Sequence, residues 1–378
     1  MAYQADTIAA IVNRLNIQYF LPAIQREFVW TPAQIVQLFD SLMRKYPIST
    51  FLFWELKPEN RDKWEIYKFV DIFDERTPHN PPALTSGVQQ VRLVLDGQQR
   101  LTSLMIGLKG AYIVRRKYNK WNSPNAWSKQ ELYLDLLQNP AVSEDGETGI
   151  HYGFAFFEQT PQEEQQKYWF KVGKILDFDS EDRFNNFSDA EVERLPGSAT
   201  KDQISQMRKN LRRLYEMIWK NDVIAYYTEH DQDYDRVLDI FVRANDGGTK
   251  LSKSDLLLAM VTSKWININA RKDIYDFVDR LNNDLANKNN LDKDFIMKTC
   301  LVVSDLPVTY KVSSFTNQNL DLIFSKWNDI KIAIENGVSL ANSFGLDRDT
   351  FTSANALIPI IYFLFHTSGK TLRGSTPV

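Results

Sequence analysis

Residues 91–100 have the sequence VRLVLDGQQR, which predicts a buried strand that runs directly into a helix. The first five residues are rich in branched apolar side chains, as buried strands are. Apolar residues then recur at spacings of three and four, which marks one buried helix face: Leu101, Leu104, Met105 and Leu108. The polar junction at residues 96–100 is therefore predicted to lie at a strand end and a helix start.

This junction, DGQQR, has two interpretations. Free backbone N–H groups at a helix start bind phosphate, and Arg100 can bind phosphate with two hydrogen bonds. Gly97 lets the backbone turn tightly or approach a ligand closely. Gln98 and Gln99 would add donors, whereas an ionised Asp96 would repel phosphate unless it holds Mg²⁺ or activates a water. The alternative needs no ligand, because Asp96 as N-cap with Gln99 three residues later forms a variant of the capping box.

A second polar segment, FVRANDGGTKL at residues 241–251, separates two predicted helices. In the functional interpretation Arg243 and Asn245 project into a pocket, and Gly248 beside Thr249 lets a ligand approach closely. In the structural interpretation a glycine ends the first helix in a left-handed turn and a serine caps the next one. Both interpretations stay open from the sequence.

A third segment, LPAIQREFVW at residues 21–30, places Gln25 and Arg26 among apolar residues. They either line the same cleft as the junction or, for Arg26, form a surface ion pair. The helix that follows begins with Thr31 as N-cap and extends to about Arg44.

The rest of the chain predicts two domains. Strands and helices alternate over residues 1–260, which indicates a mixed α/β domain, and residues 261–378 have only helical periodicity. Residues 177–200 are polar and are expected to form a loop or an insertion. The chain ends soon after an apolar helix, as expected for part of a longer protein.

Composition excludes several classes of protein. The net charge of −3 among 378 residues is unlike that of a dedicated nucleic-acid binder. Two basic runs, residues 208–213 and 115–117, are either contacts for a DNA backbone or solvated faces. No phosphate loop, dinucleotide fingerprint, zinc pattern or nucleophile elbow occurs, and the four histidines are scattered. The single Cys300 is predicted to be buried, and a chain with neither a signal peptide nor a transmembrane segment is expected in the cytoplasm.

The three segments together resemble a large bacterial family of DGQQR-motif domains. This family forms the N-terminal half of GmrSD-type modification-dependent restriction enzymes and of related phosphorothioate-sensing defence proteins. The matching residues are IQR at 24–26 with FVW at 28–30, LVLDGQQRLT at 93–102, and FVRAN at 241–245 with the glycines after it. Tyr46-Pro47-Ile48 also fits, although the family often has glycine where this chain has Ser49.

The resemblance implies a fold related to the ParB/sulfiredoxin group, followed by the all-α domain. It implies binding or hydrolysis of GTP or another nucleoside triphosphate, with Mg²⁺ held at Asp96. The catalytic residues implied are Asp96, Gln98, Gln99 and Arg100. The nucleotide-binding residues implied are Gln25, Arg26, Gly97, Thr102, Arg243, Asn245, Gly248 and Thr249.

In this interpretation the chain is the sensor-regulator of an anti-phage system that restricts modified DNA. DNA cleavage would belong to an HNH nuclease, either C-terminal to these residues or in a partner. The alternative is a non-enzymatic module that recognises modified DNA, supported mainly by the basic run at residues 208–213. A nuclease in its own right is disfavoured by the scattered histidines. The sequence leaves the nucleotide, the DNA modification and the oligomeric state open.

Overall fold

The computed structural model describes residues 3–23, 25–63, 65–116, 123–141, 149–161, 167–195, 198–244, 270–307 and 317–367. Contacts within the chain divide it into two units. The first comprises Met1–Pro22 and Glu27–Ala244, and the second comprises Ala23–Arg26 and Asn245–Val378. The boundary predicted at residue 260 lies outside the described residues.

The first unit contains a mixed sheet that, among the described residues, has six strands in the order β1-β11-β3-β6-β2-β4. These strands are β1 (Gln4–Asp6), β2 (Tyr19–Pro22), β3 (Phe51–Leu56), β4 (Ile66–Tyr67), β6 (Val91–Asp96) and β11 (Ile224–Glu229). β6 lies between β3, which runs antiparallel to it, and β2, which runs parallel. The predicted strand before DGQQR is therefore confirmed, and it is central to its sheet.

A second sheet of five strands, counted over the same described residues, follows the order β10-β8-β7-β5, with β9 also paired to β8. Its strands are β5 (Ile72–Asp74), β7 (Ala111–Arg115), β8 (Trp127–Asp135), β9 (Phe154–Phe157) and β10 (Trp169–Lys171). Only β5 and β7 pair in parallel. The sequence analysis missed β5 and β7, which are short and partly exposed.

Helices pack between and around the sheets. They are α1 (Ile8–Arg14), α2 (Pro32–Met43), α3 (Gln98–Lys109), α4 (Glu181–Glu193), α5 (Lys201–Tyr215) and α6 (Tyr234–Ala244). α3 contacts α1 and α2 and also β7 and β8, so it lies within the core of the unit. α2 begins as predicted, because the side chains of Thr31 and Gln34 form a reciprocal capping box. α5 ends in a π-helical turn, Glu216–Lys220.

Of the two expectations for residues 177–200, a loop or an insertion, the loop is wrong, because α4 lies there. Its N-cap is Ser180, whose side chain accepts from the backbone N–H of Arg183. Phe184 is the one apolar residue of α4 that is buried, and its ring stacks on Tyr215 of α5 with centroids 4.1 Å apart. Because α4 buries only a narrow face, its polar composition does not show the apolar periodicity that predicts a helix.

The described part of the second unit contains helices and no strand, which agrees with the predicted all-α region. The α-helices are α7 (Ala270–Asn283), α8 (Lys293–Val303), α9 (Asn317–Ser343) and α10 (Ile358–His366). Cys300 on α8 is 1% exposed, and burial raises the pKa of its thiol to about 12, so its predicted place in the core is confirmed. Over the described residues, every helix is too short or too polar to cross a lipid bilayer.

Candidate functional site

Asp96 is the last residue of β6, and Gly97 is the N-cap of α3. No side chain caps the first turn of α3. The capping-box interpretation of DGQQR is therefore wrong: the left-handed Gly97 (φ 93°, ψ 8°) occupies the cap position, so Asp96 stays in the strand. The polar junction thus combines a carboxylate at a strand end with a helix start that no side chain caps.

The left-handed conformation and the packing at Gly97 both require glycine. A Cβ atom at this position would lie 2.1 Å from Cδ1 of Phe51, a side chain that is 1% exposed. The absent side chain thus makes room for a ring of the neighbouring strand β3, which begins at Phe51. The expected role of Gly97 in a tight turn is confirmed by its backbone conformation.

Arg100 lies in the first turn of α3, and its side chain extends to the segment before β3. Its Nη1 donates to the carbonyl of Ile48, and its Nη2 donates to the carbonyl of Thr50 and to Oδ2 of Asp96, each at 3.0 Å. The guanidinium also lies over the Phe51 ring, 4.3 Å from its centroid. Burial lowers the pKa of the Arg100 guanidinium, while the Asp96 carboxylate acts in the opposite direction.

Ser49, between the two carbonyls that Arg100 holds, has a φ of 68°. This is the left-handed region, which strains any residue with a side chain and favours glycine. The structure thus gives a physical reason why glycine is frequent at this position in the resembling family. In this chain a serine adopts the left-handed conformation, and Arg100 binds the carbonyls of the residues on either side of it.

Gln99 connects the junction to a different segment, residues 27–29. Its Nε2 donates to the carbonyl of Glu27 and its Oε1 accepts from the backbone N–H of Val29, both at 2.9 Å. The amide is therefore used at both ends, and Gln99 is 9% exposed. Gln98 is 3% exposed and Thr102 is fully buried, so these two predicted site residues lie under the surface.

The Asp96 side chain is 31% exposed, about twice as much as that of its partner Arg100. Oδ2 is the atom bound to Arg100, and Oδ1 has no hydrogen-bond partner among the described residues. The carboxylate of Asp96 is therefore partly exposed and has an oxygen that a ligand could bind.

The sequence reasoning missed one pair of titratable groups near Gln99. Nδ1 of His79 lies 3.5 Å from Oε1 of Glu27, whose side chain is 11% exposed. The two residues are far apart in sequence, and no residue pattern in the loop at 74–90 predicts the contact. Glu27 is thus a buried carboxylate whose own backbone carbonyl is held by Gln99.

The remaining predicted site residues lie in other segments of the chain, and some of them lie outside the described residues. Gln25 is 5% exposed and Arg26 is half-buried, and both fall in the second unit. Arg243 is exposed near the end of α6, a helix that contacts β6. Asn245, Gly248 and Thr249 lie outside the described residues.

The basic run at residues 208–213 is largely engaged within the protein. Arg208 pairs with Asp189 at 2.6 Å, and Arg212 pairs with Glu181 and Glu216. Nε of Arg213 donates to the carbonyl of Met43 at 2.6 Å, at the end of α2. These three arginines thus have intramolecular partners, which removes much of the sequence support for a DNA-reading helix. In the other run, Arg116 pairs with Glu158, and Lys117 lies outside the described residues.

Comparison with known proteins adds two findings. The family model described as "GmrSD restriction endonuclease, N-terminal domain" matches residues 8–262, more than half of the chain. An uncharacterized protein of Methanocaldococcus jannaschii is 41% identical over 88 residues, which cover 23% of this chain and 14% of that protein. The matched region of this relative is thus a small part of its length.

Proposed function

The chain belongs to the family described as the N-terminal domain of the GmrSD restriction endonuclease, and we propose that it binds and hydrolyses a nucleoside triphosphate. The proposed site is the carboxyl end of β6, where Asp96 meets the first turn of α3. In this role the chain would be the sensor-regulator of a system that restricts modified DNA. An HNH nuclease acting with this domain would cut the DNA.

The observation that carries the proposal is the helix start beside the Asp96 carboxylate. The N–H groups of a first helical turn carry partial positive charge and bind phosphate oxygens. In α3 no side chain caps the first turn, and the left-handed Gly97 at the N-cap position has no side chain of its own. A phosphate group would take the place that a capping side chain takes elsewhere.

Mg²⁺ is the cofactor that the proposal implies. Among the described residues, no three His, Cys, Asp or Glu side chains converge on a point where they could hold a metal ion. A single carboxylate nevertheless fits a Mg²⁺ ion that shares phosphate oxygens and keeps several waters, which is its usual mode with nucleotides. Asp96 would hold the ion through Oδ1, because Oδ2 is bound to Arg100. The ion would offset the repulsion between this carboxylate and a phosphate.

The proposal extends to the ancestry of the fold. The resemblance implies a ParB/sulfiredoxin-like core that binds nucleotides without a Walker loop, and this chain has a strand–helix junction and lacks that loop. Phosphate binding at the junction of β6 and α3 is the part of that relation on which the proposed function depends.

Phosphate release from GTP, ATP, CTP and UTP, measured with and without duplex DNA, tests the proposal. We expect hydrolysis of one of these nucleotides with Mg²⁺ and its loss in EDTA. Asp96→Asn should lower the rate by about 100-fold or more, since it removes the charge that holds the ion. The matched control is Asp321→Asn, an exposed aspartate on α9, which should keep the wild-type rate. A wild-type rate in Asp96→Asn would overturn the proposal.

A further inference from the structure

The side chains of Gln99 and Arg100 both end on the backbone of loops at the carboxyl end of β6. Gln99 holds residues 27–29 through both ends of its amide. Arg100 holds the carbonyls on either side of Ser49. Neighbouring residues of one helical turn thus fix two loops that are about 20 residues apart in the sequence. Such contacts set the shape of a site rather than touch its ligand.

Three of the five N–H donors of Arg100 are already used, including both of those on Nη2. Its guanidinium binds two carbonyls and the Asp96 carboxylate, stacks on Phe51, and has only 14% of the side chain exposed. A phosphate could form a pair of hydrogen bonds that includes Nη2 only after one of the present bonds of Nη2 had broken. Buried carbonyls that lose their donors are costly to leave unsatisfied. The contacts therefore favour a positioning role over direct binding.

The backbone that Arg100 holds is strained. Ser49 has a φ of 68°, and without support the loop would relax toward a conformation that suits a side chain. The bonds to the carbonyls of Ile48 and Thr50 stabilise the left-handed conformation from both sides. The same guanidinium binds Asp96, so the loop and the carboxylate are fixed by one group.

We propose that Gln99 and Arg100 are positioning residues, which hold loops 27–29 and 48–50 and orient Asp96, and that neither binds the phosphates. Phosphate contacts would come from the backbone of the first turn of α3. The kinetic part of this inference rests on the proposed nucleotide function. It replaces the sequence-based expectation that Arg100 grips phosphate.

Steady-state kinetics of Arg100→Ala separate the two roles. A positioning residue lowers kcat by about 10- to 100-fold while KM changes little. Affinities for the nucleoside monophosphate and triphosphate should then change by the same factor. A loss of affinity confined to the triphosphate would show that Arg100 binds phosphate and would overturn the inference. Arg100→Lys, which keeps the charge but loses the planar fork, should behave like Arg100→Ala.

Second-site rescue provides a sharper test. Adding Ser49→Gly to Arg100→Ala removes the strain that Arg100 offsets, so kcat should recover by about 3- to 5-fold. The matched control is Lys45→Gly. Lys45 also has a positive φ, 64°, but it is not flanked by the two carbonyls that Arg100 binds. The inference would be contradicted if Ser49→Gly and Lys45→Gly raised the kcat of Arg100→Ala equally, or if neither raised it.

Hydrogen exchange without nucleotide keeps this inference separate from the proposed function. In Arg100→Ala, amides of residues 45–51 should exchange faster than in the wild type, and in Gln99→Ala those of residues 27–30 should do so. Unchanged exchange in both variants would overturn the positioning role. If amide exchange is faster in the two variants but the wild type hydrolyses no nucleotide, the positioning role of Gln99 and Arg100 is supported and the proposed function fails.

Discussion

The two ends of β6 carry the same kind of ion pair in different surroundings. At the amino end, Nε of Arg92 donates to Oε2 of Glu55 at 3.1 Å and Nη1 donates to the Tyr19 hydroxyl at 2.9 Å. At the carboxyl end, Arg100 binds Asp96 at 3.0 Å. Pair distance and burial of the arginine are similar at both ends, with side-chain exposures of 17% and 14%.

The backbone separates the two ends. The first pair joins β2, β3 and β6 through side chains of regular strands. The second lies at a helix start, next to a bulge in the pairing of β3 with β6 and beside the strained Ser49. Strained backbone persists where surrounding contacts hold it, and it concentrates at functional sites. An arginine–carboxylate pair alone therefore does not distinguish the two ends, and it is the irregular backbone at a helix start that supports the proposed site at the carboxyl end.

Glycines at the two ends give the largest expected contrast in stability. Gly87 before β6 and Gly97 after it both have positive φ, 84° and 93°, but a Cβ at Gly87 would meet nothing within 4 Å. Gly87→Ala should cost about 1 kcal/mol from backbone strain alone. Gly97→Ala adds a clash with Phe51 and should cost about 3 kcal/mol.

Urea unfolding followed by tryptophan fluorescence measures both glycine variants. Equal losses would show that packing against Phe51 adds nothing, and the contrast between the two strand ends would then reduce to backbone strain.

Arginines at the two ends should differ in function rather than stability. Arg92→Ala leaves Glu55 and Tyr19 without their shared donor and should lower the free energy of unfolding by about 1–3 kcal/mol. Because the contacts of Arg92 with Glu55 and Tyr19 lie within regular strands, nucleotide turnover at a temperature well below unfolding should be unchanged. A fall in turnover as large as that of Arg100→Ala would remove the distinction between the ends.

The smallest expected effect is a gain in stability at Ser49. Ser49→Gly relieves a left-handed φ and should raise the free energy of unfolding by about 0.5–1 kcal/mol, after the greater flexibility of unfolded glycine is subtracted. Thermal unfolding of the variant and the wild type in parallel measures this gain. A loss of stability would mean that the serine side chain contributes more than its backbone costs.

Local patterns predicted the parts of the site that depend on local physics. The strand before DGQQR, the helix after it and the capped start of α2 all follow from residue spacing and cap residues, and the structure confirms them. The departure at Ser49 was visible in the sequence, and its positive φ explains why that position matters.

The contacts of Gln99 and Arg100 with the two loops could not be predicted, because they join residues 50 to 72 positions apart. Pattern reasoning gave Arg100 to a phosphate because an arginine at a helix start has free donors until tertiary structure supplies acceptors. Gly97 shows the same limit. Its spacing suggested a turn, but the Phe51 ring that fills the space of its Cβ comes from another strand.

Isothermal titration of GTP, ATP, CTP and UTP in Mg²⁺ into the wild-type chain and Asp96→Asn tests the central claim most directly. If the carboxyl end of β6 binds nucleotide, one nucleotide gives a saturable heat with the wild type. That heat should lose its dependence on Mg²⁺ in Asp96→Asn, while Glu55→Gln at the other end of the strand should titrate like the wild type. Absence of binding for all four nucleotides, or identical Mg²⁺-dependent binding in Asp96→Asn, would contradict the account.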